Sequence, residues 1–186
     1  MVFLKAIAAL FLVAALLYPS VPASAASGTG TRAEEHEIRA VFIYNFTKFV
    51  KWPPTAFEND SEPIRVCIVE DNELAEALET LAKKSKGRQL RIIRYRNIAD
   101  ADKSHLVYFG EFTDDAVTKK ILNSVVKRPV LTVGDTPGFV RQGGIIGFIS
   151  SGKKLTFEIN PVTAKRNGLE ISFKLLNLAR IVRDLP

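Results

Sequence analysis

Cysteine is almost absent from this chain, which has a single one, Cys67, among its 186 residues. One cysteine cannot form a disulfide within the chain, and it excludes the zinc sites that are built from several thiolates. Cys67 lies in the apolar run IRVCIV, where a buried free thiol behaves as a small hydrophobic side chain. We therefore predict no disulfide and no nucleophilic cysteine.

Motifs of catalysis, nucleotide binding and metal binding are missing as well. Neither Gly-x-Gly-x-x-Gly nor Gly-Lys-Ser/Thr follows a predicted strand, and no serine lies in a nucleophile elbow. His36, in the run EEHE, is predicted to face solvent without partners at metal-ligand spacing, and His105 is predicted to be a structural, hydrogen-bonded residue. We therefore predict that the protein is not an enzyme and has no catalytic residue, metal site or cofactor.

Positive charge is not concentrated on any segment long enough to bind nucleic acid. The net charge is +6, and the basic cluster from Lys83 to Arg88 is typical of a solvated helix end, where cations complement the helix dipole. A nucleic-acid-binding protein needs a concentrated basic face. The sequence therefore predicts no nucleic-acid partner.

A long apolar run occurs only at the N-terminus, from Ala6 to Leu17. It follows Lys5 and leads to small residues ending at Ala25, which is the pattern of a cleaved signal peptide. A membrane anchor is the alternative, but a span needs about 20 apolar residues. We predict export, with a signal peptide over residues 1–25, a flexible lead-in over 26–32 and a single domain over 33–186.

Hydrophobic periodicity predicts the order of helices and strands in that domain. Helices are predicted over residues 33–51, 72–86, 114–127 and 161–184, strands over 64–69, 90–96, 105–110 and 129–135, and a hairpin from 145–150 and 154–160. Strands that alternate with helices form mainly parallel sheets covered by helices on both faces. We therefore predict a single three-layer α/β domain that is completed by a C-terminal antiparallel hairpin.

The first and last helices carry unusual apolar patterns. The first is predicted to bury a stripe of Ile38, Val41, Phe42, Asn45, Phe46 and Phe49 and to end at Trp52, which packs into a turn enforced by two prolines. The last is apolar on nearly every side and includes Leu169, Phe173, Leu176 and Ile181. Such a helix is either wrapped in the core or covered by another chain, and the pattern leaves both alternatives open.

Three residues near predicted strand ends are candidates for a small-molecule site. Asp71 belongs to the acidic run EDNE after the first strand, and Asp135 and Arg141 belong to the glycine-rich loop GDTPGFVRQGG. Open α/β sheets bind ligands at the carboxyl ends of their strands. The alternatives are that Asp71 caps a helix and that the glycines only shape the loop. A small-molecule-binding sensor or carrier is therefore one possible function.

Several segments together resemble the YfiR family of exported bacterial regulators. These are AVFIYNFTKFVKWP (40–53), IRVCIVED (64–71), SHLVYFG (104–110), PVLTVGDTPGFVRQGGIIGF (129–148), LTFEIN (155–160) and NGLEISFKLLNLARIV (167–182). The resemblance implies an α/β fold that is often dimeric. It also implies a non-enzymatic periplasmic protein that binds the periplasmic sensor domain of a membrane-anchored diguanylate cyclase and keeps cyclic di-GMP low. The resemblance further implies that this inhibition is released by envelope or redox stress, or when an outer-membrane lipoprotein sequesters the protein.

The resemblance also implies a partner-binding patch and a disulfide. The patch maps to Glu158, Asn160 and the final-helix residues Leu169, Phe173, Leu176 and Ile181, with helix capping or support of the core as the alternative role of Glu158. The family pattern pairs a cysteine at the position of Cys67 with one just before the histidine of a later strand. Here Ser104 precedes His105, and a second cysteine pair is also missing. Redox regulation through these bonds is therefore not expected.

Overall fold

The computed structural model describes residues 29–84, 87–152 and 154–183. The predicted signal peptide lies outside these residues. The strands are β1 Val50–Lys51, β2 Ile64–Val69, β3 Leu90–Arg94, β4 Leu106–Phe109, β5 Leu131–Gly134, β6 Ile146–Ser151, β7 Lys154–Ile159, β8 Glu170–Ile171 and β9 Arg180–Ile181. The helices are α1 Thr29–Phe49, α2 Asn72–Lys84, α3 Ile98–Asp102, α4 Asp115–Ser124, α5 Pro161–Arg166 and α6 Phe173–Leu176. None of the helices in the described ranges is long and apolar enough to cross a bilayer.

A mixed sheet of seven strands organises the domain in the order β3-β2-β4-β5-β6-β7-β9. Strands β2 to β6 run parallel to one another, β7 is antiparallel to β6, and β9 is parallel to β7. Strands β1 and β8 form a separate antiparallel pair. The predicted mainly parallel sheet with a C-terminal hairpin is therefore confirmed.

Alternating side chains of the central strands supply two hydrophobic cores, one on each face of the sheet. On β4, Leu106 and Tyr108 pack into the core that contains α1 and α2. Val107 and Phe109 point the other way, into the core that contains α3 and α4. This alternation is the period of two expected of a strand, and it places helices on both faces as predicted.

The buried face of α1 is rotated relative to the predicted stripe. Ala40, Ile43 and Phe46 are fully buried, whereas Phe49 is exposed at the end of the helix. Ile38 and Val41 are also exposed, at 48% and 47%. The prediction was right for Phe46 and wrong for Ile38, Val41 and Phe49, because the inward face also carries the charged side chain of Arg39, which the predicted stripe left out. The helix begins at Thr29, within the predicted lead-in.

Trp52 packs into the turn after α1, as the two prolines that follow it indicated. Its ring is 8% exposed and packs edge-on against Phe57 at a centroid distance of 6.4 Å. Its indole Nε1 donates a hydrogen bond to the carbonyl oxygen of His105 at 3.3 Å. The tryptophan therefore joins the end of α1 to the start of β4, instead of contacting a membrane.

The long final helix predicted over residues 161–184 is wrong. Helix α5 ends at Arg166, because Gly168 takes a left-handed φ of 74° that turns the chain back. Ser172 then caps the short α6, and β9 pairs with β7. The open hydrogen-bonding groups along β7 favour this extended segment over a continued helix.

Candidate functional site

A cleft of about 250 Å³ lies at the carboxyl ends of β2, β4 and β5, beside the N-terminal half of α1. The sheet order makes this a switch point, since the chain leaves β2 toward β3 on one side and returns to β4 on the other. Among the described residues, its charged lining consists of the carboxylates Glu35, Glu70, Asp71, Glu73, Glu111 and Asp135 and the basic residues Arg32, His36 and Arg39. Acidic groups therefore outnumber basic groups in the cleft.

A buried ion pair crosses the floor of the cleft. Arg39 Nε lies 2.8 Å from Asp135 Oδ2, and both side chains are about nine-tenths buried. Burial raises the pKa of Asp135, and the charge of Arg39 only partly offsets that rise. Burial alone would lower the pKa of Arg39, but Asp135, Tyr108 and Glu35 together outweigh that effect and the net shift is upward. The pair fixes α1 to the end of β5.

Tyr108 of β4 places a hydroxyl beside the same charges. Its side chain is fully buried, and the hydroxyl makes no well-formed hydrogen bond within the described part of the chain. Burial raises the pKa of Tyr108 well above its usual range, and the carboxylates of Asp135 and Asp71 raise it further. The group is therefore a protonated donor that lies close to both carboxylates.

His36 faces the cleft, so the prediction that it faces solvent was wrong. Its side chain is only 12% exposed, and Nδ1 lies 2.9 Å from the carbonyl oxygen of Arg32. Nε2 lies 3.3 Å from Asp71 Oδ1 and 3.7 Å from Glu73 Oε2. Asp71 Oδ1 also accepts a hydrogen bond from the backbone N–H of Leu74, the capping role that was the alternative to ligand binding.

A wider groove of about 590 Å³ continues from this cleft between α1 and α2. It shares Arg32, His36 and Glu73 with the cleft, and the rest of its lining combines apolar residues such as Val41 and Ala77 with charged ones such as Glu76. This groove explains why Val41 stays exposed. Titratable side chains make up most of the lining of the smaller cleft and about half of the lining of the groove.

Asp71 and Asp135, which follow β2 and β5, both line the cleft, but Arg141 does not. Arg141 is exposed in a 3-10 turn, residues 139–142. The glycines of this loop surround Phe139, since a Cβ atom at Gly134 or Gly144 would overlap its ring. The glycines therefore shape the loop, and a ligand role for the three residues stays a prediction.

Sequence reasoning missed Arg39, His36 and Tyr108. A signal existed in α1, where His36, Arg39 and Ile43 recur at helical spacing on the face that proves to be buried. The carboxylate partners come from distant elements, and a single sequence shows no such pairing.

The six predicted partner-binding residues divide into buried and accessible ones. Glu158 is 4% exposed and accepts a hydrogen bond from Arg180 Nε at 3.1 Å, Asn160 is fully buried and caps α5, and Leu169 is 2% exposed. Phe173 and Ile181 are exposed, at 76% and 37%, and Leu176 is half-buried. Leu178, which was not among the predicted residues, is 74% exposed.

Comparison with known proteins agrees with this architecture. A family model described as YfiR/HmsC-like matches residues 36–180, which is more than half of the chain. Among solved structures, a conserved domain protein from Vibrio cholerae O1 biovar El Tor has a similar fold, with a TM-score of 0.53 and 15% sequence identity. The match covers 78% of this chain and 59% of that chain, so this chain spans less than two thirds of that protein. At that identity the likeness shows the fold alone.

Proposed function

Because the chain belongs to the YfiR/HmsC-like family, we propose that it is a periplasmic regulator of a diguanylate cyclase and acts by binding another protein. The finer proposal is inhibition. The protein binds the periplasmic sensor domain of a membrane-anchored cyclase and keeps cyclic di-GMP low. Such inhibition requires that the protein bind the inactive state of the sensor more tightly than the active one.

The observation that carries this proposal is the exposed apolar surface of residues 173–181, which we call the C-terminal segment. Phe173 and Leu178 are each more than 70% exposed, and Ile181 lies on β9 at the edge of the sheet. Large apolar side chains gain about 25 cal/mol for each Å² removed from water. An edge strand also offers backbone groups to an added strand. A protein partner would use both features.

The buried members of the predicted patch would act by holding this segment in place. Glu158 pairs with Arg180, which joins β7 to β9 beside the exposed Ile181. Asn160 caps α5 through the backbone N–H groups of Val162 and Thr163. In this proposal they position the surface, and Phe173, Leu176 and Ile181 contact the partner.

Two further partners belong to the proposal. An outer-membrane lipoprotein would relieve inhibition by sequestering the protein, and a second copy of the chain would form a homodimer. Both follow from the resemblance to the family. Each would compete with the cyclase if it covered the same C-terminal segment.

Cellular cyclic di-GMP after deletion of the gene tests the proposal directly. We expect the nucleotide to rise, and the wild-type gene to restore the low level. A Phe173→Ser, Leu178→Ser variant should fail to restore it while keeping the wild-type melting temperature. Phe112→Ser is the matched control, because Phe112 is similarly exposed, at 71%, on a different part of the surface. An unchanged nucleotide level after deletion would overturn the proposal.

A small-molecule sensor or carrier is the second candidate, and the charged cleft at the carboxyl ends of the strands favours it. This function predicts that a cleft ligand raises the melting temperature of the purified protein without any partner. Phe112 lines this cleft. A Phe112→Ser variant that loses function while the C-terminal variant retains it would therefore favour the second candidate.

A further inference from the structure

Three potential metal ligands converge at the mouth of the charged cleft. His36 Nε2, Asp71 Oδ1 and Glu73 Oε2 all lie within 4.8 Å of one another, although they come from α1 and from the start of α2. Nε2 is 3.3 Å from the Asp71 oxygen and 3.7 Å from the Glu73 oxygen. In a tetrahedral zinc site with bonds of about 2.0–2.1 Å, neighbouring ligand atoms are about 3.3 Å apart. The three atoms are therefore spaced nearly as zinc ligands are.

The orientation of the His36 ring indicates a cation between these atoms. Nδ1 lies 2.9 Å from the carbonyl oxygen of Arg32, and a carbonyl can only accept, so Nδ1 carries the proton. In a neutral ring this leaves the Nε2 lone pair facing two carboxylates. A metal-bound histidine has this same arrangement, because its other nitrogen donates to a carbonyl or carboxylate. The contact between Nε2 and the two carboxylates is favourable only if a metal ion or a second proton lies between them.

Two of the three proposed ligands are shielded from water, whereas Glu73 is exposed and its Oε2 also lies 3.8 Å from Arg32 Nε. The side chains of His36 and Asp71 are only 12% and 9% exposed, so water screens their charges weakly. Tyr108 is fully buried, and its hydroxyl makes no well-formed hydrogen bond in the described ranges; Asp135 interacts with this hydroxyl most strongly, and besides burial the Asp71 carboxylate also raises its pKa. Such a donor could orient a ligating carboxylate or a metal-bound water.

We propose that His36, Asp71 and Glu73 bind one divalent transition-metal ion, for which Zn²⁺ is the best match. An imidazole nitrogen with two carboxylate oxygens suits zinc better than magnesium, which prefers an octahedral shell of oxygens. Three protein ligands leave a fourth position for water. The ion would join α1 to the start of α2, and it would act independently of the partner surface proposed above.

Titration of Zn²⁺ into the purified protein, prepared without a histidine tag and stripped with EDTA, tests this site. Calorimetry should show one ion per chain, and the melting temperature should rise, because the ion binds only the folded arrangement. Mg²⁺ at the same concentrations should have no effect. His36→Gln should weaken zinc binding by more than the roughly 10–100-fold loss that follows removal of an outer-shell contact.

Asp71→Asn provides a second, gentler variant with a matched control. Asparagine caps a helix as well as aspartate does, so α2 should remain capped while the ligand charge is lost. Asp114→Asn is the control, because Asp114 caps α4 in the same way, through the backbone N–H groups of Ala116 and Val117. We expect Asp71→Asn to lose zinc binding and Asp114→Asn to retain it. Zinc binding unchanged in both His36→Gln and Asp71→Asn, or absent from the wild type, would overturn the proposal.

Discussion

His105 is a buried residue whose protonation is linked to folding. Its Nδ1 accepts a hydrogen bond from the backbone N–H of Arg65 at 3.0 Å, its Nε2 lies 2.8 Å from the carbonyl oxygen of Ala56, and its ring stacks on Phe57. The structural role predicted for it is therefore seen in its contacts. Burial lowers the pKa of His105, and the charges of Arg65 and Arg88 lower it further.

The lowered pKa of His105 predicts a loss of stability in mild acid. The unfolded chain, with a histidine pKa of about 6.5, binds a proton that the folded chain does not, so the free energy of unfolding falls as pH drops below that value. His105→Gln keeps a donor for Ala56 but cannot titrate. Urea unfolding at about pH 7.5 and about pH 5.5 should show a smaller pH dependence in the variant. Equal pH dependence in both proteins would contradict this prediction.

Cys67 and Ser104 occupy the two positions at which the resemblance described above implies a disulfide. Cys67 is fully buried, and burial raises the pKa of its thiol to about 12, so it is inert toward thiol reagents in the folded protein. The Ser104 hydroxyl interacts with the thiol and also donates to the carbonyl oxygen of Asp100 at 2.6 Å. The two side chains are therefore neighbours.

Ser104→Cys should allow a disulfide with Cys67 to form under oxidising conditions. Closing a loop of this length stabilises a protein by about 2–4 kcal/mol, because it restricts the unfolded chain. Intact mass under non-reducing conditions and melting with and without dithiothreitol measure the bond and its effect. Two free thiols after oxidation would show that the side chains do not reach each other.

At the scale of elements, the glycine-rich loop 134–144 is shaped by one aromatic ring. Phe139 is fully buried and lies against both Gly134 and Gly144, where an added Cβ would overlap the ring. Gly144→Ala should therefore lower the free energy of unfolding by about 1–3 kcal/mol through overpacking. Chemical denaturation measures this loss.

Substitution of Phe139 tests whether overpacking is the cause of the loss in Gly144→Ala. In a Phe139→Leu background the ring is gone, so adding Ala at 144 should cost much less than it does in the wild type. The difference between the two measurements is the coupling energy of the pair. If Gly144→Ala is equally destabilising in both backgrounds, contact with Phe139 is not the cause.

The elements that could be predicted from sequence are those determined by short-range pattern. Strand β2 was predicted with its observed bounds, Ile64–Val69, because a buried parallel strand is a nearly continuous run of apolar, often β-branched residues, which only Arg65 interrupts here. The region after Gly168 could not be predicted, since its extended segment forms only because β7 offers a free edge. The cleft could not be predicted for the same reason, because it is formed by residues that are distant in the sequence. Asp71 and Asp135 follow recognisable strands, but His36 and Arg39 reach them only once α1 has packed on the sheet.

At the scale of the whole molecule, the two edges of the sheet differ in how they are protected. Edge strand β3 carries exposed Arg91 and Arg94, and charged side chains discourage pairing with another chain. The opposite edge, β9, also carries the exposed Arg180, but apolar residues precede and follow this strand, and Phe173 and Leu178 of the same C-terminal segment are exposed. This asymmetry favours the C-terminal edge as the side that another protein covers.

Site-specific photo-crosslinking in cells should detect that asymmetry. A crosslinking amino acid at position 173 should capture a membrane protein that carries a diguanylate cyclase domain, because it would lie within the proposed interface. The same amino acid at position 91, on the charged edge, should capture none. Both positions are exposed, so incorporation should leave the melting temperature unchanged. Capture of the cyclase from position 91 and not from 173 would place the partner on the charged edge. The C-terminal segment would then need another explanation for its exposed apolar side chains, such as a second copy of the chain, which crosslinks between identical chains from position 173 would reveal.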